Sequence, residues 1–282
     1  MRQVELGNTG EKVAVVGQGT WGVKRNLDAS KHQSIKESLK LGIELGMTHI
    51  DTAEAYGSGA AELLIGELIK EEQYDRDDLF ITSKIFPLHF TKESMKRAAR
   101  RSLSRLGLNH FDLYLIHMPN PVIPLKWQVH LMEELIDEGL TRYMGVSNFF
   151  KIIFKFIQFH LKKYEFATNQ VRINIGHQGY IHHGLDYFQA RGVTLTAYSP
   201  LAHGKWQSWN NVLMQNLSTI AKAHDATPSQ VAIAWLIHHD GIITIPKAFS
   251  PKHVIQNAGA ADLNLSKREI QSLYMPSKVS LV

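Results

Sequence analysis

Strict alternation is what most constrains this chain: eight short runs rich in β-branched residues, at 13–17, 49–51, 79–84, 111–117, 142–146, 167–171, 193–197 and 242–245, are separated by longer segments of helical period. Several helical segments carry readable ends. Thr91 stands where an N-cap belongs, Met95, Ala99, Leu103 and Leu106 recur at steps of three and four, and Gly107 follows as a stop. Thr227-Pro228-Ser229-Gln230 combines a cap, a proline at the first helical position and a glutamine at the third. It precedes the apolar stripe Val231, Ala234, Trp235 and Ile237, and Gly241 closes the segment. Strand and helix in alternation imply parallel strands joined by right-handed crossovers. Eight such units fit a closed α/β barrel, whereas a doubly wound sheet is usually built from five or six strands. The expected fold is a (β/α)8 TIM barrel, a single domain over residues 1–282, preceded by a β-hairpin of 4–6 and 12–15 around Asn8-Thr9-Gly10 that plugs the N-terminal end.

Composition narrows the function. The chain has no cysteine, which excludes disulfides, thiolate nucleophiles and cysteine-ligated metals. Its net charge of +5 suits an anionic small ligand, but 31 basic residues are spread among 26 acidic ones with no basic run beside aromatics, so no nucleic-acid partner is expected. No apolar stretch reaches the roughly 18 residues of a membrane span, and the N-terminus lacks the apolar run of a signal peptide. A cytoplasmic protein without a membrane partner is expected, as a monomer or weak homo-oligomer.

In a parallel barrel the active site lies at the C-terminal ends of the strands. The second run ends at Asp51, with Tyr56 in the loop beyond it; the third ends at Lys84 and the fourth at His117. Singly, each has an ordinary structural reading as a cap, a packed ring, a surface charge or a satisfied histidine. Three consecutive strands, however, deliver all four to one rim, where ionisable groups are costly to desolvate unless paired. An ammonium within reach of a phenol stabilises the phenolate and lowers the phenol's pKa, and Asp51 would keep Lys84 charged and aimed. Tyr56 then becomes a general acid for a carbonyl oxygen, with His117 as second donor. No side chain supplies hydride, so reduction requires a nicotinamide cofactor.

The segments Gly19-Thr20-Trp21, Asp51-Thr52-Ala53-Glu54-Ala55-Tyr56, Thr82-Ser83-Lys84, Asp112-Leu113-Tyr114-Leu115-Ile116-His117, Gly145-Val146-Ser147-Asn148, Asn169-Gln170, Ala197-Tyr198-Ser199-Pro200-Leu201 and Ile245-Pro246-Lys247 resemble, in order and spacing, those of the aldo-keto reductases, in particular prokaryotic-type members with a short C-terminal loop. The resemblance implies Asp51, Tyr56, Lys84 and His117 as a catalytic tetrad and NADP(H) as cofactor, with NAD(H) left open. It implies that Ser147, Asn148 and Gln170 hold the nicotinamide carboxamide, that Tyr198 stacks on the ring, and that Ser199, Pro200 and Leu201 follow the pyrophosphate. Gly19, Thr20, Trp21 and Asp51, with Ile245, Pro246, Lys247, Ala248, His253, Gln256 and Asn257, complete the expected nucleotide contacts, while Trp21, Tyr56, His117 and Met118 face the substrate. Lys247 has a case of its own, because Ser250-Pro251 opens a helix three residues later and backbone N–H groups and a lysine converge where a 2′-phosphate could sit.

The chain departs from the family in several places. Ala248 and His253 replace the usual serine and arginine beside Lys247, and Gln256 a usual glutamate, which weakens the case for strong NADP(H) selectivity. Met118 stands where tryptophan is common, and Arg172-Ile173-Asn174 where acidic and aromatic residues are usual. With a short helix near Ser266 before the C-terminus, an open pocket for small or polar aldehydes, sugar aldehydes included, is expected.

Other signals carry less. Gly17-Gln18-Gly19-Thr20-Trp21-Gly22 fits a dinucleotide fingerprint, but no helical pattern follows until about Ser30. Tyr274-Met275-Pro276-Ser277-Lys278 mimics a short-chain dehydrogenase pair, yet contains proline. The pairs His182-His183 and His238-His239 have the wrong spacing for metal ligands on a helix, so no metal is expected. Two rivals stay open: a non-catalytic nucleotide-binding regulatory protein on the same scaffold, as in potassium-channel β-subunits, and a metal-dependent barrel isomerase or hydrolase.

Overall fold

The computed structural model describes residues 1–206 and 209–276. A hairpin of β1 (Gln3–Glu5) and β2 (Lys12–Ala14) pairs Val4 with Val13. The strands β3 (Gln18–Gly19), β4 (His49–Asp51), β5 (Phe80–Ile85), β6 (Phe111–Ile116), β7 (Thr141–Ser147), β8 (Phe166–Arg172), β9 (Thr194–Tyr198) and β10 (Ile242–Thr244) follow. These eight pair in parallel, each with its sequence neighbour. A parallel bridge between Val16 and Thr244 closes the sheet: Gly17 N–H donates to the Thr244 carbonyl at 2.8 Å and Thr244 N–H to the Val15 carbonyl at 3.0 Å. The fold is the expected (β/α)8 barrel.

One element differs from the sequence reading. The run 13–17 is not a single barrel strand: its first residues belong to the hairpin, and the first barrel strand is the two-residue β3. The apolar run continues beyond β2 through a bend at Val15, so no polar break marks where the hairpin ends.

The hairpin covers the N-terminal end of the barrel. Leu6, Val13 and Val15 are buried against Leu113, Leu115, Ala167 and Ile243 inside the sheet. Gly7 N–H donates to Thr194 Oγ1 at 2.8 Å. Gly7 has φ +57°, and a Cβ there would lie 2.7 Å from the carbonyls of Ala167 and Gly192, so the plug seats only with glycine.

Outside the strands, Thr91 caps the helix Lys92–Leu106 in a reciprocal box with Ser94, and Gly107 ends it at φ +67°. Thr227 and Gln230 form the second box, heading the helix Pro228–Ile237. Every residue from Val231 to Ile237 is buried, because this helix is covered on its outer side as well as its barrel side; a single stripe was expected. At the barrel floor Asp112 is buried and satisfied by Ile81 N–H at 2.7 Å, Arg76 at 2.6 Å and Arg142 at 2.9 Å, so this acid of the family pattern is architectural.

Candidate active site

Period-two alternation carries polar side chains upward into the barrel mouth. On β4 it places His49 and Asp51 on one face, and on β5 Phe80, Thr82 and Lys84. Lys84 has no solvent exposure, and its Nζ donates to Asp51 Oδ2 at 2.6 Å, the Thr52 carbonyl at 2.8 Å and Tyr56 Oη at 3.2 Å. Asp51 Oδ1 accepts from Gln170 Nε2 at 2.7 Å, so the carboxylate is held from both sides. His117 meets the Tyr56 ring edge to face, with centroids 5.8 Å apart, and its buried Nδ1 has no partner among the described residues.

The electrostatics follow from burial. Desolvation pulls the Lys84 ammonium down, but Asp51 and then Tyr56 outweigh it, so Lys84 stays charged with its pKa above the ordinary lysine value. Burial, then Lys84, hold His117 down at about 3, a neutral imidazole at any working pH. For Tyr56 the sequence expectation of a lowered pKa is corrected: burial raises the phenol more than Lys84 lowers it, and Asp51 raises it further. Lys84 moderates that rise without reversing it.

Beside the tetrad runs a polar chain. Gly145 sits at an irregularity in the β7–β8 register, where a Cβ would lie 2.7 Å from the Thr168 carbonyl. Just beyond it, Ser147 donates to the Gln170 carbonyl at 3.0 Å. Asn148, at φ +63°, donates to the His117 carbonyl and to Ser147 Oγ, both at 3.0 Å, and accepts from Tyr198 Oη at 2.8 Å. Holding a non-glycine residue in the left-handed region costs on the order of 1 kcal/mol, and three hydrogen-bonding groups hold this side-chain amide in place. Neither residue caps the following helix, Lys151–Gln158, whose cap position is Phe150.

These groups open into a cavity of about 910 Å³ that reaches from Tyr56 and His117 to Lys247, His253, Gln256 and Asn257. Of the residues singled out in the sequence, Gly19, Trp21, Asp51, Tyr56, His117, Ser147, Asn148, Gln170, Tyr198, Ser199, Pro200, Leu201, Ile245 and Pro246 line it too. Thr20, Lys84, Met118 and Ala248 do not. Thr20 is buried and donates to the Asp51 carbonyl at 2.9 Å, fixing the end of β4. Lys84 lies beneath Tyr56, Ala248 packs on the inner core, and Met118 is partly exposed.

Sequence reasoning missed Phe86, His203, Trp206, Lys252 and the cap Thr227-Pro228-Ser229, all of which line the cavity. Phe86 had a signal, since it follows Lys84 by two and so shares its face; the cap had one in its exposed first-turn N–H groups. The remaining three sit in irregular or first-turn positions with no pattern to read.

The cavity fits a dinucleotide in size and chemistry. The Lys247 ammonium lies 5.0 Å from the Phe249 ring centre and 6.0 Å from that of Trp21. Beside it the helix Pro251–Gly259 begins with Ser250 extended and making no side-chain capping bond, which leaves its first turn open to an anion. Gly17 and Gly19 have a different task. A Cβ at either would lie 2.6 Å from the carbonyl of His49 or Ile245, so these glycines permit close strand approach. Tyr274 Oη bonds His239 Nε2 at 2.8 Å, while Ser277 and Lys278 lie outside the described residues. His182 pairs with Gln178, and among the described residues no group of three or more His, Asp or Glu side chains could hold a metal.

Barrel, buried Asp–Lys pair, phenol and imidazole at the mouth together define a barrel oxidoreductase acting on carbonyl or alcohol groups. The comparisons make this specific: the model of the Aldo/keto reductase family matches residues 15–274, and the chain belongs to that family. It is 36% identical over 260 residues to the methylglyoxal reductase YeaE of Escherichia coli strain K12, covering 92% of this chain and 89% of that protein. Among solved structures it is similar to the thermostable aldo-keto reductase Tm1743, with TM-score 0.90 and 39% identity over 97% of this chain and 98% of the other. An aldo/keto reductase from Klebsiella pneumoniae, solved in complex with NADP and acetate, superposes with TM-score 0.88 at 33% identity, covering 100% of this chain and 99% of its own.

Proposed function

We propose that this protein reduces small aldehydes and ketones with NADPH, Tyr56 acting as the general acid. The observation that carries the reading is the Lys84 ammonium, buried between the Asp51 carboxylate and the Tyr56 hydroxyl at the cavity floor. NADPH, when bound, supplies hydride to the carbonyl carbon. Tyr56 donates its proton to the carbonyl oxygen as negative charge develops there. Its raised pKa keeps it protonated at rest, and the ammonium 3.2 Å away stabilises the phenolate left behind until solvent restores the proton. Neutral His117 orients the oxygen through one N–H. Ser147, Asn148 and Gln170 offer the donors and acceptors that a carboxamide needs, Tyr198 a ring to stack upon, and Lys247 with the following first turn a place for the 2′-phosphate. Support for NADPH comes from the Klebsiella pneumoniae relatives, solved with NADP or NADPH. A methylglyoxal reductase among the relatives supports short oxoaldehydes as substrates.

Loss of NADPH absorbance with a panel of short oxoaldehydes, sugar aldehydes and ketones tests the activity. Tyr56→Phe should lower kcat by about 100-fold or more and leave NADPH affinity nearly unchanged. Turnover close to wild type in that variant would refute Tyr56 as the acid.

A further inference from the structure

A second cavity, of about 690 Å³, adjoins the first, and Trp21 and His203 line both, their rings 4.5 Å apart. Arg172 forms part of its wall, with Asn174, His177 and Trp209. Arg172 is the last residue of β8 and lies beside Tyr198 in the β8–β9 register. By strand alternation it shares the inward face with Gln170, about 6.6 Å further toward the mouth. Among the described residues its guanidinium makes no ion pair or hydrogen bond. His177 and His203 are held below the ordinary imidazole value by burial first and Arg172 next, so its charge stands close to both rings. Among the described residues no acid lines the second cavity, and the acid that lines the first, Asp51, is already bound by Lys84 and Gln170. Asn174 also donates to the Ser199 carbonyl at 3.0 Å, tying this wall to the segment Ser199–Leu201. An arginine with five donors and no acceptor, facing a cavity with no counter-charge, is a planar receptor for an oxyanion.

We propose that the second cavity is an oxyanion subsite anchored by Arg172. Its ligand is a phosphate or carboxylate group that reaches over from the first cavity. Two sources share that chemistry: the pyrophosphate of the dinucleotide, which rests on the reading given under Proposed function, and an acidic group on the carbonyl substrate. Proximity to Ser199 favours the pyrophosphate.

Arg172 is exposed, so Arg172→Met and Arg172→Lys should fold, which matched melting curves would establish. Fluorescence titration of Arg172→Met should show NADPH and NADH both weakened, equally and by about tenfold, with Arg172→Lys in between. Inorganic pyrophosphate should compete with NADPH in the wild type and less so in Arg172→Met. If cofactor affinities hold while KM rises about tenfold for glyoxylate and not for neutral methylglyoxal, the subsite stands and its ligand is the substrate carboxylate. Cofactor affinities, pyrophosphate competition and both KM values all within twofold of wild type would overturn it. A wild type that binds NADPH yet reduces no carbonyl would refute the proposed reaction and leave the titration arm readable.

Discussion

Lys84 and Asp51 show why the site residues cannot be valued singly. Each would be strongly unfavourable alone at full burial, and together they satisfy one another and hold the phenol. Lys84→Met should therefore destabilise the fold by about 3–5 kcal/mol, because it strands the Asp51 carboxylate, and should abolish activity. Adding Asp51→Asn should recover part of that stability and none of the activity, since Tyr56 would still lack its ammonium. Urea denaturation of both variants checks this; a double variant no more stable than Lys84→Met would mean that the pair is not energetically coupled. A second residue, His49, tests the buried imidazoles. It is fully enclosed, bonded through Nε2 to Thr82 Oγ1 at 3.0 Å, and burial holds its pKa at about 4. Folded His49 resists the proton that the unfolded chain accepts near 6.5. Its contribution is thus present above about pH 6.5 and falls as the pH drops toward 4, by about 2 kcal/mol at pH 5. His49→Gln should flatten the fall of Tm between pH 7 and 5, and an unaltered slope would show that His49 is not the group being titrated.

The elements are legible in proportion to the length of the apolar run each strand carries. Strands β5 and β6 are apolar enough, and long enough, to announce themselves, and their ends name Lys84 and His117 directly, whereas Gln170 is reached only through the family resemblance. The two-residue β3 was not legible, because its glycine is there for close strand approach and not for β-propensity. Ser147 and Asn148 were found through resemblance: the β7 irregularity and the positive φ that aim them depend on the neighbouring strand, which no local pattern encodes. The segment from Lys247 to the helix Pro251–Gly259 acts as one element, a cation beside an open first turn. Lys247→Met should weaken NADPH binding by about one to two orders of magnitude and leave NADH almost untouched, in contrast to the parallel losses expected of Arg172→Met. Equal losses for the two cofactors in Lys247→Met, read by fluorescence titration, would show that Lys247 does not meet the 2′-phosphate.

At the scale of the whole molecule, the barrel separates stability from chemistry along its axis. The floor is closed by apolar side chains of the hairpin and by the Asp112 network, whereas the mouth collects the Asp51–Lys84 pair, Tyr56, His117 and the left-handed Asn148 and Ser199. That polarity was readable in advance, since parallel strands put every C-terminus at one end. What could not be read was how tightly the hairpin is seated, because its contacts join the first residues to strands more than a hundred positions away. Leu6 concentrates that contact: it is wholly buried, among Val13, Val15, Leu113 and Leu115, at the end opposite Tyr56. Leu6→Ala should leave a void there and cost about 2–4 kcal/mol, lowering Tm by roughly 5 °C or more. Because the sheet transmits no charge change to the mouth, kcat and NADPH affinity at room temperature should stay within about twofold of wild type. Tyr56→Phe should do the opposite, removing turnover at nearly constant Tm. Melting curves and steady-state kinetics on the two variants form one crossed experiment: if Leu6→Ala lowered kcat as far as it lowered Tm, floor and mouth would be one cooperative unit, and the plug would belong to the catalytic machinery.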